Sequence, residues 1–238
     1  MVIAKDKIST GSQIFDELLC GGLERGIITT LFGAPGAGKS NLAMLFAANL
    51  AEQGKKIIFI DTESSFSSER VKQLKNQATS QLFKNILIFE PSSFEEQCKL
   101  FANLKKIALL EKPAAIIVDS IIMLYRLELG AEKEISEINR ELANQMAVLL
   151  DIARSQNIPV LVTDHIYKEF DTKEIKIAGG DLIRYWSKCM IYLERCENVH
   201  RAIIWKHRSI KTGKEIWFEI QNNGLFEAKN PKKKFSLF

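Results

Sequence analysis

The sequence predicts an α/β fold with a mostly parallel central sheet flanked by helices, and three observations predict it. Short apolar runs alternate with segments of helical period up to about residue 163. A glycine-rich stretch joins one of these runs to a segment rich in Ala and Leu. After Thr163 the apolar runs follow one another without helices between them. In chain order, Ser9 to Leu19 has the composition of a short helix, and Gly21, Gly22 and Gly26 mark turns before a first buried strand, Ile27 to Phe32. Asn41 to Ala51 reads as the next helix. Lys56 to Asp61, Ile86 to Phe89, Ala114 to Asp119 and Pro159 to Thr163 are short, apolar and partly β-branched, as strands covered on both faces are. Between them, Ser93-Phe94-Glu95-Glu96 is a capping-box pattern opening a helix to about Leu110. Ile135, Ile138, Leu142, Met146, Leu149 and Ala153 trace one face of another helix. Met190 to Leu193, Ala202 to Trp205 and Ile216 to Ile220 are joined by short polar turns, so antiparallel strands are expected to extend the sheet edge.

A chain of 238 residues, 46% of them hydrophobic, accommodates one α/β domain with a full core. The expected division is a single domain over residues 1–228 and a basic tail over 229–238. The stretch Met1 to Lys7 has no apolar signal core and no uncharged run reaches the length of a membrane span, so a cytoplasmic protein without a membrane partner is expected. Cys20, Cys98, Cys189 and Cys196 lack C-x-x-C spacing and read as small buried thiols rather than a metal site or disulfide framework. The net charge of +4 is uneven. From Val199 to Phe238, nine Lys and Arg stand against three Glu, an excess of +6, which leaves −2 for the rest. Arg201, Lys206, Arg208, Lys211 and Lys214, with Lys229, Lys232, Lys233 and Lys234 of the tail, read equally well as contacts for nucleic-acid phosphates and as a solvated basic end.

The glycine-rich stretch is Gly33-Ala34-Pro35-Gly36-Ala37-Gly38-Lys39-Ser40, the G-x-x-x-x-G-K-[ST] spacing of a nucleotide phosphate-binding loop in its strand–loop–helix setting. Its glycines let successive N–H groups turn toward phosphates, and the loop feeds a helix N-terminus that favours an anion. Lys39 is the candidate for the β- and γ-phosphates and Ser40 for Mg²⁺, while Asn41 completes the nucleotide-binding set. Ala114 to Asp119 is an apolar strand ending on an acid, a Walker B element whose Asp119 supports the metal. Glu63 lies just past the strand Lys56 to Asp61. It is the candidate to orient or deprotonate a water attacking the γ-phosphate, against the alternative of a surface turn residue.

Taken together, Ile8-Ser9-Thr10-Gly11-Ser12, Asp16-Glu17-Leu18-Leu19, Gly21-Gly22, the phosphate loop, Ile60-Asp61-Thr62-Glu63 and Phe66 to Arg70 resemble the ATPase core of the RecA/RadA recombinase superfamily. The resemblance continues in Asp119-Ser120 and Leu124-Tyr125-Arg126. From Gly179-Gly180 onward, Tyr185-Trp186-Ser187-Lys188 and Lys206-His207-Arg208-Ser209 are most similar to its short archaeal members. The resemblance implies a RecA-like fold, ATP and Mg²⁺ as cofactors, Lys39 and Glu63 as catalytic residues and Arg70 against the adenine. It also implies Lys206 and Arg208 acting on a neighbour's γ-phosphate in an oligomer.

Departures from the superfamily pattern shape the functional expectation. None of the 14 Phe residues has Ala three positions later, so a Phe-x-x-Ala filament tether is not expected, and the ATPase core starts almost at Met1. Near Gly130 to Ser136, where the superfamily has its first DNA loop, the chain has Glu132-Lys133-Glu134. The second DNA loop, between Ile166 and Gly180, mixes Lys168, Glu169, Asp171, Lys173, Glu174 and Lys176. Thr163-Asp164-His165 stands in place of Thr-Asn-Gln, and Asp164 and His165 read either as a satisfied polar cluster or as a replacement sensor of the γ-phosphate. The resemblance thus implies a DNA repair and recombination protein that binds ATP and DNA, hydrolyses ATP weakly and assists recombination without strand exchange of its own. A RadA-type recombinase, a structure-specific nuclease and a second copy are its implied partners. The alternatives are a KaiC-like signalling ATPase acting on proteins, and a non-catalytic clamp.

Overall fold

The computed structural model describes residues 7–75, 80–129, 134–168 and 175–231. In chain order the elements are β1 (Lys7–Ile8), α1 (Gln13–Leu18), β2 (Leu23–Glu24), β3 (Ile28–Gly33), α2 (Lys39–Glu52), β4 (Ile57–Asp61), α3 (Ser68–Leu74), α4 (Ser80–Lys84), β5 (Ile86–Phe89), α5 (Phe94–Glu111), β6 (Ala115–Asp119), α6 (Met123–Glu128), α7 (Ile135–Ser155), β7 (Val160–Lys168), β8 (Ile175–Ile177), α8 (Gly180–Trp186), β9 (Cys189–Cys196), β10 (Val199–Lys206), β11 (Glu215–Gln221) and β12 (Gly224–Glu227). The main sheet runs β12-β11-β10-β9-β3-β7-β6-β4-β5, with β8 paired to β7 and β1 paired separately to β2. β3, β4 and β6 are buried along their whole length, which accounts for their unbroken apolar runs.

Among the described residues the sheet separates two large cores, with a smaller cluster of Phe32, Ile177, Met190 and Tyr192 beside them. Phe46, Leu50, Phe59, Leu161 and Ile191 pack on the α2 side, and Ile60, Val118, Leu142, Met146 and Ile183 on the α7 side. α2 is buried around most of its girth, so it is Ala-rich rather than two-faced. α7 carries the expected stripe of Ile138, Leu142, Met146, Leu149 and Ala153, but Ile135, placed on that stripe by its spacing, is exposed in the first helical turn. The cap of α5 is half as expected. Ser93 Oγ accepts from Glu96 N at 3.2 Å, whereas the Glu96 carboxylate reaches back one residue further, to Ser92 N and Oγ, both at 2.8 Å.

At the other end of the sheet the first C-terminal strand departs from the antiparallel pairing expected of it. β9 pairs parallel to β3, from Thr29↔Cys189 to Gly33↔Leu193, and only β10, β11 and β12 continue antiparallel. The first C-terminal strand therefore enters the parallel sheet beside the phosphate loop. β7 also runs five residues past Thr163, which puts Asp164 and His165 in a strand. The first helix is shorter than Ser9 to Leu19 because Asp16 draws Ser9 and Thr10 out of it. Asp16 Oδ2 accepts from Ser9 Oγ at 2.5 Å and Oδ1 accepts from Thr10 N and Oγ1 at 2.7 and 2.8 Å. Among the described residues no helix is long and apolar enough to cross a membrane.

Candidate nucleotide site

Strand register assembles the site. In a parallel sheet, loops at the carboxyl ends of the strands share one rim, where α/β proteins bind ligands. Here β3 and β7 align Gly33 with His165, and β4 and β6 align Asp61 with Asp119, so four chemically distinct loops meet there. Two glycines of the phosphate loop are required for different reasons. Gly33 is needed for space, since a Cβ would lie 2.1 Å from the Leu193 carbonyl oxygen of β9. Gly38 is needed for its φ of 99°, and a Cβ there would also meet Ile220 at 2.9 Å. Lys39 begins α2 and is buried. Its ammonium donates to the loop carbonyls of Gly33 at 2.9 Å and Ala34 at 3.1 Å. Burial holds the Lys39 pKa below its ordinary value, against the raising effect of Glu63, Asp119 and Asp164. A desolvated cation folded onto its own loop fits a nucleotide phosphate better than it fits carbonyl oxygens.

Asp119 is buried at the end of β6. Its Oδ1 accepts from Thr163 Oγ1 at 2.5 Å, its Oδ2 from Ser65 Oγ at 2.7 Å, and Ser40 also hydrogen-bonds it. Burial raises its pKa, opposed by those hydroxyls. A buried carboxylate contacted by the phosphate-loop serine fits a divalent cation, with Ser40 and Asp119 as the groups that would hold Mg²⁺ directly or through water. Asp61, a buried residue the sequence reading passed over, organises the turn beside them. Its Oδ1 accepts from Glu63 N and Ser65 N, both at 3.1 Å, and its Oδ2 from Phe66 N at 2.7 Å. Thr62 exchanges hydrogen bonds with Ser120, at 2.7 Å to its carbonyl and 3.0 Å from its N–H, and the Asp119–Ser120 peptide is cis.

The turn delivers Glu63 to His165. Nε2 of the imidazole lies 2.5 Å from Glu63 Oε1, with both side chains mostly buried. Burial alone would raise the Glu63 pKa, but the hydrogen bond and charge of His165, with Lys39 adding to them, hold it below the ordinary carboxylate value. Asp164, one residue earlier, is fully buried and points elsewhere: Oδ2 accepts from Gly179 N at 3.3 Å and Oδ1 has no partner among the described residues. Burial pushes its pKa up to about 7. The two residues expected to act as a pair are thus divided between the site and the start of α8.

Arg70 borders the site on the other side. Its guanidinium donates to Asn41 Oδ1 at 2.7 Å, Gln73 Oε1 at 3.0 Å, and the Asn222 and Gln221 carbonyls at 3.1 and 2.9 Å. It therefore ties α2 and α3 to the β11–β12 turn. His200 of β10, also unforeseen, stacks on Phe218 and places Nε2 3.3 Å from the Gly36 carbonyl at the tip of the loop.

A model of the Rad51 family matches residues 4–228. The chain belongs to the Rad51 family. It is 44% identical over 213 residues to the DNA repair and recombination protein RadB of Methanococcus maripaludis strain C7, covering 89% of this chain and 97% of that one. To the RadB of Methanobrevibacter smithii it is 40% identical over 229 residues, covering 92% and 95%. A solved structure described as the crystal structure of the RadB recombinase superposes with a TM-score of 0.78 at 31% identity, covering 93% of this chain and 99% of the other. The resemblance to short archaeal members is thus to RadB, and the fold is RecA-like with antiparallel strands added at the C-terminal end.

In this Rad51-family chain the residues expected to act across a subunit boundary are engaged within it. Arg208 pairs with the buried Glu24, and Lys206 Nζ donates to the Arg184 carbonyl at 2.5 Å. Of the basic C-terminal residues, Arg201 pairs with Glu194 and Glu215, and Lys214 Nζ donates to the Glu17 and Leu18 carbonyls at 2.7 and 3.0 Å. Most of the two expected DNA loops, including Glu132, Lys133, Glu169, Asp171, Lys173 and Glu174, lies outside the described residues, as do Lys232, Lys233 and Lys234. Cys189 is buried and Cys98 and Cys196 are half-buried, but Cys20 is exposed, contrary to the expectation of four buried thiols. No cluster of three metal-ligating side chains occurs among the described residues.

Proposed function

We propose that this protein is a weak, Mg²⁺-dependent ATPase that binds DNA and assists recombinational repair without carrying out strand exchange itself. The observation that supports it most is the convergence of Lys39, Ser40, Asp119 and Glu63 at one rim, in a chain whose relatives are named DNA repair and recombination proteins. Gly33 to Ser40 and Asn41 hold the triphosphate, and Arg70 borders the adenine side. Bound Mg²⁺ supplies neutralisation of the phosphate oxygens. Glu63 orients and deprotonates the attacking water, and His165 fixes which carboxylate oxygen is free to do so. The short hydrogen bond to His165 and the low Glu63 pKa make that carboxylate a weak base, which supports slow turnover.

Calorimetric titration with ATP and a phosphate-release assay test the assignment. Lys39→Ala is expected to abolish ATP binding, and unchanged affinity rejects the site. Glu63→Gln is expected to retain ATP while losing at least about 100-fold in turnover, the scale of a lost general base. Equal turnover in the two proteins rejects Glu63 as the base.

A further inference from the structure

The last turn of α8 and the end of β10 meet where Lys206 Nζ donates to the Arg184 carbonyl. Along β10, Ala202 and Ile204 enter the core on the α2 side and Ile203 packs on the opposite one, so strict alternation would turn Lys206 to the α2 side. A bulge between Ile204 and Lys206 breaks the pairing with β9. Two consecutive side chains consequently reach the α8 face. Trp205 packs edge-on against Phe32 at 5.6 Å and Tyr192 at 6.2 Å, and Lys206 reaches the Arg184 carbonyl. Bulges re-aim side chains in this way and are common beside functional sites. Trp205 remains 43% exposed and Tyr185 72% exposed. Tyr185 is braced by the perpendicular Trp186 ring at 5.6 Å and by Lys188 Nζ at 5.8 Å.

Positive charge gathers at the same place. Burial, with Lys188 and Arg184 nearby, pushes the Lys206 pKa below its ordinary value. Among the described residues neither Lys188 nor Lys206 has a carboxylate within ion-pair distance, and the Arg184 partner, Asp181, is almost fully exposed. Like charges held together repel until an anion joins them. Arg201 and Arg208, by contrast, are already paired with carboxylates inside the chain. Braced, exposed rings among cations are suited to stacking bases and following the phosphates of one strand, whereas a duplex hides its base faces.

We propose that Arg184, Tyr185, Lys188, Trp205 and Lys206 form a binding site for single-stranded DNA. The site rests on the reading of the protein as DNA-binding and gives that reading a location. The test is fluorescence anisotropy of the full chain with a labelled oligothymidylate of about 20 nucleotides, longer than the roughly 4–16 nucleotides that single-strand sites cover. Tyr185→Ala is expected to weaken binding about tenfold. The double variant Arg184→Ala/Lys188→Ala is expected to flatten the log–log salt slope by about 1.4, while Lys211→Ala leaves it within about 0.7 of the wild-type value. Quenching of tryptophan fluorescence by the oligomer is expected in the wild type and is expected to be largely lost in Trp205→Phe, a substitution that keeps the packing on Phe32. If the wild type binds and all these variants bind and quench as it does, the site lies elsewhere and only this proposal fails. If the wild type binds no single-stranded DNA, the DNA-binding reading fails with it. Should the variants change the association state of the protein but not its DNA affinity, the surface is a contact between copies and the proposal is overturned.

Discussion

Asp164 and His165 are neighbours on one strand with opposite fates, because consecutive residues of β7 face opposite ways. Asp164 is buried with one oxygen unpartnered among the described residues, and its pKa is pushed up to about 7. A carboxyl group with a folded-state pKa above its unfolded value of 3.8 favours the folded state when protonated, so this stabilisation is full below pH 3.8 and is lost as pH rises toward 7. The shift corresponds to about 4 kcal/mol. Asp164→Asn is expected to be the more stable protein at pH 7.5 and to show a flatter dependence of stability on pH between 4 and 7 by urea unfolding; parallel curves would show that the burial cost is relieved. His165 acts on chemistry instead. Since its hydrogen bond and charge, together with Lys39, overcome the burial that would raise the Glu63 pKa, His165→Ala is expected to move the acid limb of the kcat profile to higher pH. An unmoved limb would mean that the imidazole does not act on the base during turnover.

At the scale of elements, the phosphate loop depends on a strand far from it in sequence. Gly33→Ala would drive a methyl group into the Leu193 carbonyl of β9, a backbone atom that cannot turn aside. The expected cost is about 3 kcal/mol, at the upper end for overpacking, or a fall in Tm of about 6–12 °C for a chain of this size. Gly36→Ala meets nothing within 4 Å and carries only the strain of a φ of +76°, about 1 kcal/mol. Calorimetric melts compare the two, and equal losses would place β9 away from the loop. This contrast marks what the sequence makes legible. The parallel strands β3 to β7, the loop and Asp119 could be read because each is a contiguous run with its own period or spacing. The parallel pairing of β9, the reach of Glu96 to Ser92, the role of Asp61 and the contact of His200 with Gly36 could not. Each of these depends on a partner whose position is set by packing rather than by neighbouring residues, and Asp61 also resembles any strand-ending acid.

Over the whole molecule, the two ends of the described chain hold each other. Ser12 Oγ donates to the Leu225 carbonyl, Phe15 packs edge-on against Phe218 at 5.1 Å, and Lys214 reaches the carbonyls that end α1. Arg208 completes the closure on Glu24 of β2, which among the described residues also has His207 Nε2 at 3.7 Å. Burial lowers the His207 pKa, so at neutral pH this imidazole is a poor substitute for a guanidinium. Arg208→Ala therefore leaves a buried carboxylate without a full positive partner. Breaking a fully buried pair costs about 3–5 kcal/mol, and the exposure of the Arg208 side chain reduces the expectation to about 1–3 kcal/mol. The expected result is a lower Tm together with faster amide hydrogen exchange in β2 and in the segment after β10. If Arg208 instead serves a neighbouring copy, the same substitution leaves the Tm unchanged and lowers turnover only at protein concentrations where copies associate. A melt and a concentration series of ATP turnover on one variant thus decide whether this arginine fastens its own chain or reaches into the next.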